Sequence, residues 1–138
     1  MDLVGAGATI KGKGVQNRSP KAAIVTSNYW PEQTGIGQVT TEFAEFLRAK
    51  GIRISIATAA PYYPEWRIRD KYRGRLWLTE TREGVVIHRA AHYARPNPTT
   101  LSRVMHELTL CLLSLPNMVR AIHGSDAVFV VSPDLSHA

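Results

Sequence analysis

The stretch that decides the fold is Ala22-Ala23-Ile24-Val25-Thr26-Ser27-Asn28-Tyr29-Trp30-Pro31-Glu32-Gln33-Thr34-Gly35-Ile36-Gly37. It begins as a short apolar run typical of a buried strand, and it ends at two glycines before an amphipathic segment, Gln38 to Lys50. This order places the free backbone N–H groups of a helix start beside the end of a strand. The helix dipole favours negative charge there, so the stretch predicts a site for a phosphate-bearing ligand.

The flanking segments extend this unit into an α/β fold. The first strand is expected at Lys21 to Ser27, and a second strand at Ile52 to Thr58 follows the helix after the stop signal Gly51. Strand, helix and strand within about forty residues form a βαβ unit with parallel strands. The pattern predicts a Rossmann-like parallel sheet flanked by helices.

The second half of the chain predicts a strand pair, a long helix and a last strand. Trp77 to Glu80 and Val85 to Arg89 are expected to pair as a hairpin, and Asp126 to Val131 reads as a buried strand. A helix is expected from about Thr100 to His123, with Pro116 kinking or dividing it. We expect this helix to pack on the core, with a membrane-facing patch as a further option and with Cys111 as a small buried thiol. Its apolar residues are Leu101, Val104, Met105, Leu108, Leu112, Leu115, Val119 and Ile122.

Composition bounds the class of protein. The chain has 138 residues, a single cysteine and a net charge of +6, so it fits one domain in a reducing compartment and favours an anionic partner. Residues 1–20 are rich in Gly and Lys and lack a continuous apolar core, so we expect a disordered basic leader followed by one domain over residues 21–138. Further basic residues lie between Arg67 and Arg75, and a solvated basic face is the alternative to an anionic partner. No nucleic-acid-reading motif accompanies them, and a nucleic-acid partner is not expected.

The two glycines also invite a dinucleotide interpretation, which the flanking residues oppose. The full fingerprint needs a third Gly or Ala where Thr40 stands, and an acidic residue at the end of the second strand. Thr58, Ala59 and Ala60 stand there instead. NAD binding is therefore disfavoured, although two glycines in one loop are also compatible with a purely structural turn.

The loops after the two strands supply candidate contacts for a sugar. Glu32 and Glu65 lie at strand ends, where ligands bind in open α/β sheets, and each is either a sugar contact or a solvated carboxylate. Tyr62 and Tyr63 would stack on a sugar ring or pack their own loop equally well. The five histidines show no helical metal-site spacing with a third ligand.

Three stretches together resemble the N-terminal lobe of family 4 glycosyltransferases, in the subgroup of WcaI-type colanic-acid and WbuB-type O-antigen enzymes. They are Asn28 to Gly37, Pro61-Tyr62-Tyr63-Pro64-Glu65-Trp66, and Glu83 to Arg89. The likeness covers about residues 21 to 135. It implies a two-lobed GT-B fold with the active site between the lobes, and a retaining, metal-independent enzyme that uses a nucleotide sugar and no other cofactor.

The resemblance also implies roles for particular residues. Gly35, Ile36, Gly37 and Gln38 match the family's glycine-rich loop, which approaches the donor diphosphate. The acceptor would be a lipid-linked glycan at the cytoplasmic face of the membrane, with peripheral membrane contact. Glu32, Tyr62, Tyr63, Glu65 and Arg95 are candidate sugar or acceptor contacts. No histidine is assigned as catalytic, whether His88, His92 or His137.

One departure from the family concerns its second lobe, which carries most donor contacts. The sequence ends at Ala138 before any such lobe. We therefore expect a fragment, inactive alone, whose missing partner is the C-terminal lobe. Two alternatives remain: a non-enzymatic module that binds a membrane or a partner, and a nucleotide-dependent oxidoreductase domain.

Overall fold

The computed structural model describes residues 18–33 and 35–131. Within these residues, five strands and two α-helices follow one another. They are β1 (Lys21–Thr26), α1 (Gly35–Ala49), β2 (Arg53–Ala59), β3 (Trp77–Arg82), β4 (Val85–Ala90), α2 (Thr100–Ile122) and β5 (Ala127–Val131), with a short 3₁₀ turn at Asp70–Tyr72 before β3. The predicted leader falls outside the described residues except for its last three.

The strands form one sheet in the order β3-β4-β2-β1-β5. β1 pairs in parallel with both β2 and β5, and β2 pairs in parallel with β4. Only β3 runs antiparallel, to β4, as the hairpin pattern predicted. The α/β fold class with a Rossmann-like, mostly parallel sheet is therefore confirmed.

The two faces of the sheet carry different cores, because side chains alternate between faces along each strand. One face contributes large aliphatic side chains and packs against Phe43, Ala44 and Leu47 of α1; its buried members are Ala22, Ile24, Ile54, Ile56, Val85 and Ile87. The other face is lined by the small side chains of Ala23 and Ala57, against which Ala121 of α2 packs. Small residues let α2 approach this face of the sheet closely.

The long helix does not bury the residues that the periodicity assigned to the core. Its buried positions are Ser102, His106, Asn117 and Ala121, whereas all eight apolar residues named above for this helix are exposed. The prediction was wrong because the alanine-lined sheet accepts small and hydrogen-bonded side chains rather than leucines. Cys111 lies on the exposed side as well, so the expected buried thiol is also wrong.

Two further expectations are corrected. β5 is a strand, but four of its five residues are exposed, because it forms an edge of the sheet and only β1 pairs with it among the described residues. Of the two effects expected of Pro116, division of the helix is wrong, because the helix continues as one element from Thr100 to Ile122. Thr99 caps the start of that helix by accepting a hydrogen bond from the Ser102 N–H at 3.3 Å.

Candidate functional site

The strand order reverses at β1, which has β2 on one side and β5 on the other. From β1 the chain moves to β2 on one side, and after β4 it crosses back to place β5 on the other side of β1. Ligands of open α/β sheets bind at such a reversal, outside the carboxyl ends of the strands. The loop after β1, which leads into α1, lies at this point.

The first turn of α1 carries the four residues expected to approach a donor phosphate. Gly35 and Gln38 are exposed, Ile36 is half-buried and Gly37 is buried. The Gln38 amide also donates a 3.1 Å hydrogen bond to Glu42 one turn later, which orients it along the helix surface. An exposed helix start of this kind presents N–H groups and positive dipole charge to an anion.

Each glycine has a structural reason of its own. Gly35 adopts φ +57°, in the left-handed region that favours glycine. A Cβ at Gly37 would lie 2.9 Å from both the Cβ and the carbonyl oxygen of Glu32, so any side chain would displace the preceding loop. The glycines thus allow a tight loop-to-helix turn, so both have a structural role that does not depend on an anion.

Glu32 joins the loops that follow β1 and β2. Its side chain is buried, and one carboxylate oxygen accepts hydrogen bonds from the N–H groups of Tyr62 and Tyr63 at 2.8 and 3.0 Å. The other oxygen accepts from the Asn28 side-chain amide at 2.8 Å. Because these protein donors engage both oxygens, Glu32 holds the loop after β2 against the loop after β1.

Arg89 forms a second connection beneath these loops, and its side chain is 1% exposed. The guanidinium donates to the backbone oxygen of Trp30, to that of Ala59 at 3.3 Å, and to the Glu80 carboxylate at 2.6 Å. Burial alone would raise the pKa of Glu80, but the hydrogen bond and charge of Arg89, together with Lys71, outweigh it and lower that pKa. One arginine therefore links the ends of β1 and β2 to β3.

Tyr62 packs in a cluster of aromatic rings rather than facing solvent. Its ring centre lies 4.7 Å from those of His92 and His106 and 5.3 Å from that of Trp66. Burial raises the pKa of the Tyr62 phenol to about 12, so it stays protonated. This candidate sugar contact is therefore buried, and its ring packs the loop after β2 against His92 and His106.

The two histidines of the cluster share a hydrogen bond. Their Nδ1 atoms are 3.0 Å apart, His92 Nε2 lies 2.9 Å from the Ala60 oxygen, and His106 Nδ1 lies 3.0 Å from the Tyr93 oxygen. The Ala60 oxygen requires the single N–H of a neutral His92 on Nε2, which makes His92 Nδ1 an acceptor, and the N–H on His106 Nδ1 is shared between that atom and the Tyr93 oxygen. Burial lowers the pKa of His92 to about 4 and also lowers that of His106. Both rings are therefore neutral at pH 7.

The remaining candidates lie at the surface. Tyr63, Glu65 and Arg95 are all exposed. Glu65 borders an open depression of about 310 Å³ that Arg67, Ile68, Arg69 and Asp70 also line. Glu65 thus lies beside Arg67 and Arg69 in the segment that connects β2 and β3, and we call residues 67–75 of this segment the basic loop. Arg95 lies in the separate loop between β4 and α2.

Sequence reasoning missed Arg89, Asn28 and the His92–His106 pair as parts of the site's support. Arg89 lies near the end of a largely apolar strand. A charged residue at such a position indicates a buried ion pair or hydrogen-bond network, and this signal was available in the sequence. The histidines are separated by 14 residues, so only the fold brings them together. No group of three His, Cys, Asp or Glu side chains suited to a metal ion occurs in residues 18–33 and 35–131.

Comparison with known proteins gives one informative similarity. The chain is 34% identical over 117 residues, 83% of its length, to the proposed colanic acid biosynthesis glycosyl transferase WcaI of Escherichia coli strain K12. The match spans 28% of that protein. No protein-family model and no solved structure matches. The similarity supports a relationship to a glycosyltransferase.

Proposed function

We propose that this chain forms the N-terminal lobe of a family 4 glycosyltransferase with the GT-B fold. The enzyme would move a sugar from a nucleotide sugar to a lipid-linked glycan during synthesis of a cell-surface polysaccharide. The observation that carries the proposal is the similarity to WcaI, which extends over 117 residues and 83% of this chain. Because the match spans 28% of that relative, a second, donor-binding lobe is part of the proposal.

The start of α1 supports a role in donor binding. A nucleotide sugar carries a diphosphate, and the exposed first turn from Gly35 to Gln38 offers N–H donors and a helix dipole to it. Glu32 and Arg89 hold the adjoining loops in place through the contacts described above. A preorganised loop of this kind can stabilise the leaving diphosphate without a conformational rearrangement. We propose no metal or additional cofactor.

The basic loop supports an acceptor that carries phosphate. Arg67 and Arg73 contact Asp70, and Lys71 contacts Glu80, but Arg69 has no ion-pair partner within residues 18–33 and 35–131. Arg69 and Arg67 line the depression beside Glu65. We propose that this depression takes the acceptor, with a pyrophosphate group against the arginines and Glu65 near a sugar hydroxyl. A lipid-linked acceptor would place the protein at the cytoplasmic face of the membrane.

Ligand-observed NMR with UDP, GDP and dTDP tests the proposal on the purified chain. Gln38→Glu adds a negative charge at the first turn of α1, where it repels phosphate, while its attraction to the helix dipole is opposed by repulsion from Glu42 one turn later. The matched control is Thr100→Glu, which adds the same charge at the exposed start of α2. We expect about three- to tenfold weaker binding of the preferred nucleotide by Gln38→Glu, and unchanged binding by Thr100→Glu.

Failure of all three nucleotides to bind at about 10 mM would overturn the donor role. Equal binding of the nucleotide by both variants would show that it binds away from the start of α1. An NAD arm tests the oxidoreductase alternative, since tight NAD binding would favour it over a sugar transferase. The non-enzymatic alternative has its own support in the exposed face of α2, which is independent of nucleotide binding.

A further inference from the structure

The outward surface of α2 is apolar along the whole helix. Its exposed residues recur at spacings of three and four, so they form one stripe: Leu101, Val104, Met105, Leu108, Leu112, Leu115, Val119 and Ile122. Leu112 is 67% exposed and Val119 is 69% exposed. No charged residue of the helix interrupts this spacing. A continuous apolar stripe of more than five turns is larger than a monomeric soluble protein ordinarily exposes.

Specific contacts fix the orientation of this helix, so the stripe cannot simply turn inward. His106 is hydrogen-bonded to His92 and to the Tyr93 oxygen, as described above. Thr109 Oγ1 accepts a 2.8 Å hydrogen bond from the Tyr93 N–H, and the Leu113 oxygen accepts one of 2.8 Å from the Trp77 indole. These bonds hold the polar side of α2 to the sheet and leave the leucines outside.

The apolar surface extends beyond the helix. Leu76, Trp77 and Tyr93 are all exposed, and the contacts just given place Trp77 and Tyr93 beside the middle of α2. Tryptophan and tyrosine combine an apolar ring with a polar group, a property that suits the boundary between hydrocarbon and headgroups. We call the stripe together with these three residues the α2 surface.

Positive charge flanks the α2 surface. Arg75 directly precedes Leu76, Arg95 follows Tyr93 by two residues, and Arg120 lies on the side of α2; all three are exposed. Glu107 is the only acidic residue of α2, and the chain as a whole carries +6. A surface with an apolar centre and an arginine rim is complementary to a bilayer that contains anionic lipids.

We propose that the α2 surface embeds in the headgroup region of an anionic bilayer, with the helix lying in the plane of the membrane. In the part of the chain that the structure describes, no helix is long and apolar enough to span a membrane, whereas an amphipathic helix binds by burying one face. A bilayer fits better than a second copy of the chain, because a symmetric pair would bring like arginine rims together.

This inference rests on the proposed function in one respect: a lipid-linked acceptor gives the protein a reason to lie on a bilayer. Binding to vesicles is measured without nucleotide or acceptor. It can therefore fail while donor binding succeeds, and it can succeed while donor binding fails.

Flotation of the full chain with two kinds of vesicle tests the proposal. One is phosphatidylcholine alone, and the other contains about 30 mol% phosphatidylglycerol. The test variant is Leu108→Glu with Leu112→Glu. The control is Val39→Glu with Phe46→Glu on α1, whose exposures of 66% and 57% match the 67% and 54% of Leu112 and Leu108. All four side chains are exposed, so both variants should keep the far-ultraviolet circular dichroism of the unmodified chain.

We expect the chain to float with anionic vesicles, to float less at about 0.5 M salt, and to lose about tenfold or more of its partitioning in the α2 variant only. Brominated lipids should quench the fluorescence of Trp77, as the difference from Trp77→Phe would show. Equal partitioning of both variants, or none of the unmodified chain, would overturn the proposal. So would light scattering that shows a dimer abolished by the α2 variant, because a second copy would then cover the surface.

Discussion

At the scale of single residues, two buried charged side chains hold the loops of the candidate site. Glu32 has both carboxylate oxygens engaged by protein donors, and Arg89 contacts two backbone oxygens and Glu80. A charged group left without its partners in such a place is strongly destabilising. Both residues are therefore expected to contribute more to the geometry of the site than to direct ligand contact.

Arg89→Met should lower the free energy of unfolding by roughly 3 kcal/mol, because it leaves Glu80 without its main partner and two carbonyls without donors. Urea denaturation measures this. Arg69→Met is the control, since Arg69 is exposed, and its effect should stay within about 0.5 kcal/mol. Similar losses in the two variants would contradict the role assigned to Arg89.

Glu32→Gln should cost roughly 1.5–3 kcal/mol, because an amide NH₂ replaces one of two oxygens that face hydrogen-bond donors. The same unfolding measurement applies, and Glu65→Gln serves as the exposed counterpart with little expected change. A neutral Glu32→Gln variant would show that the carboxylate does not hold the two loops together.

At the scale of elements, the sequence pattern predicted where helices and strands lie but not which way α2 faces. The βαβ unit, the hairpin and the long helix were all predictable because strand and helix periods are local properties. The facing of α2 depends on Ala23 and Ala57 of the sheet, which leave no space for leucine. That is a tertiary property, and the apolar stripe by itself suggested the opposite arrangement.

The close packing of α2 gives a pair of contrasting substitutions. Ala121→Val should destabilise the protein by about 1–3 kcal/mol, since Ala121 is fully buried against the sheet and extra methyl groups overpack it. Leu112→Gln, on the outer side of the same helix, should change stability by less than about 0.5 kcal/mol. Denaturant midpoints that moved in the reverse order would show that α2 faces the other way.

The His92–His106 contact between the β4 loop and α2 predicts a pH dependence. Burial lowers the pKa of His92 in the folded state to about 4 from 6.5, so the unfolded chain binds more protons between these values. Stability should therefore fall by roughly 2 kcal/mol between pH 7 and pH 5 from His92 alone, with a further decrease from His106. Protonation would also place two N–H groups opposite each other in the histidine pair.

Unfolding curves at several pH values between 7 and 5 measure this loss, and His92→Gln supplies the comparison. Glutamine can still donate to the Ala60 oxygen but does not titrate. The slope of stability against pH should become shallower in this variant. An unchanged slope would assign the pH dependence to other groups, such as His88, whose pKa burial also lowers.

At the scale of the whole molecule, the candidate site occupies one edge of the sheet and the α2 surface covers one face. The site's position was predictable from the sequence, because a glycine loop between a strand and a helix defines the carboxyl edge. The hydrogen bonds that hold its loops together were not predictable from the sequence, because Glu32 and Tyr62 are 30 residues apart and Arg89 and Trp30 are 59 residues apart. Both glycines have structural reasons independent of a ligand, so phosphate binding requires a direct measurement.

An amide-resolved NMR titration with UDP or GDP tests most directly whether the start of α1 binds the diphosphate of a sugar nucleotide. We expect saturating chemical-shift changes centred on the amides of Gly35, Ile36, Gly37 and Gln38, at about millimolar nucleotide. Changes confined to the depression at Arg67 and Arg69, or no change at the start of α1 for either nucleotide, would contradict it.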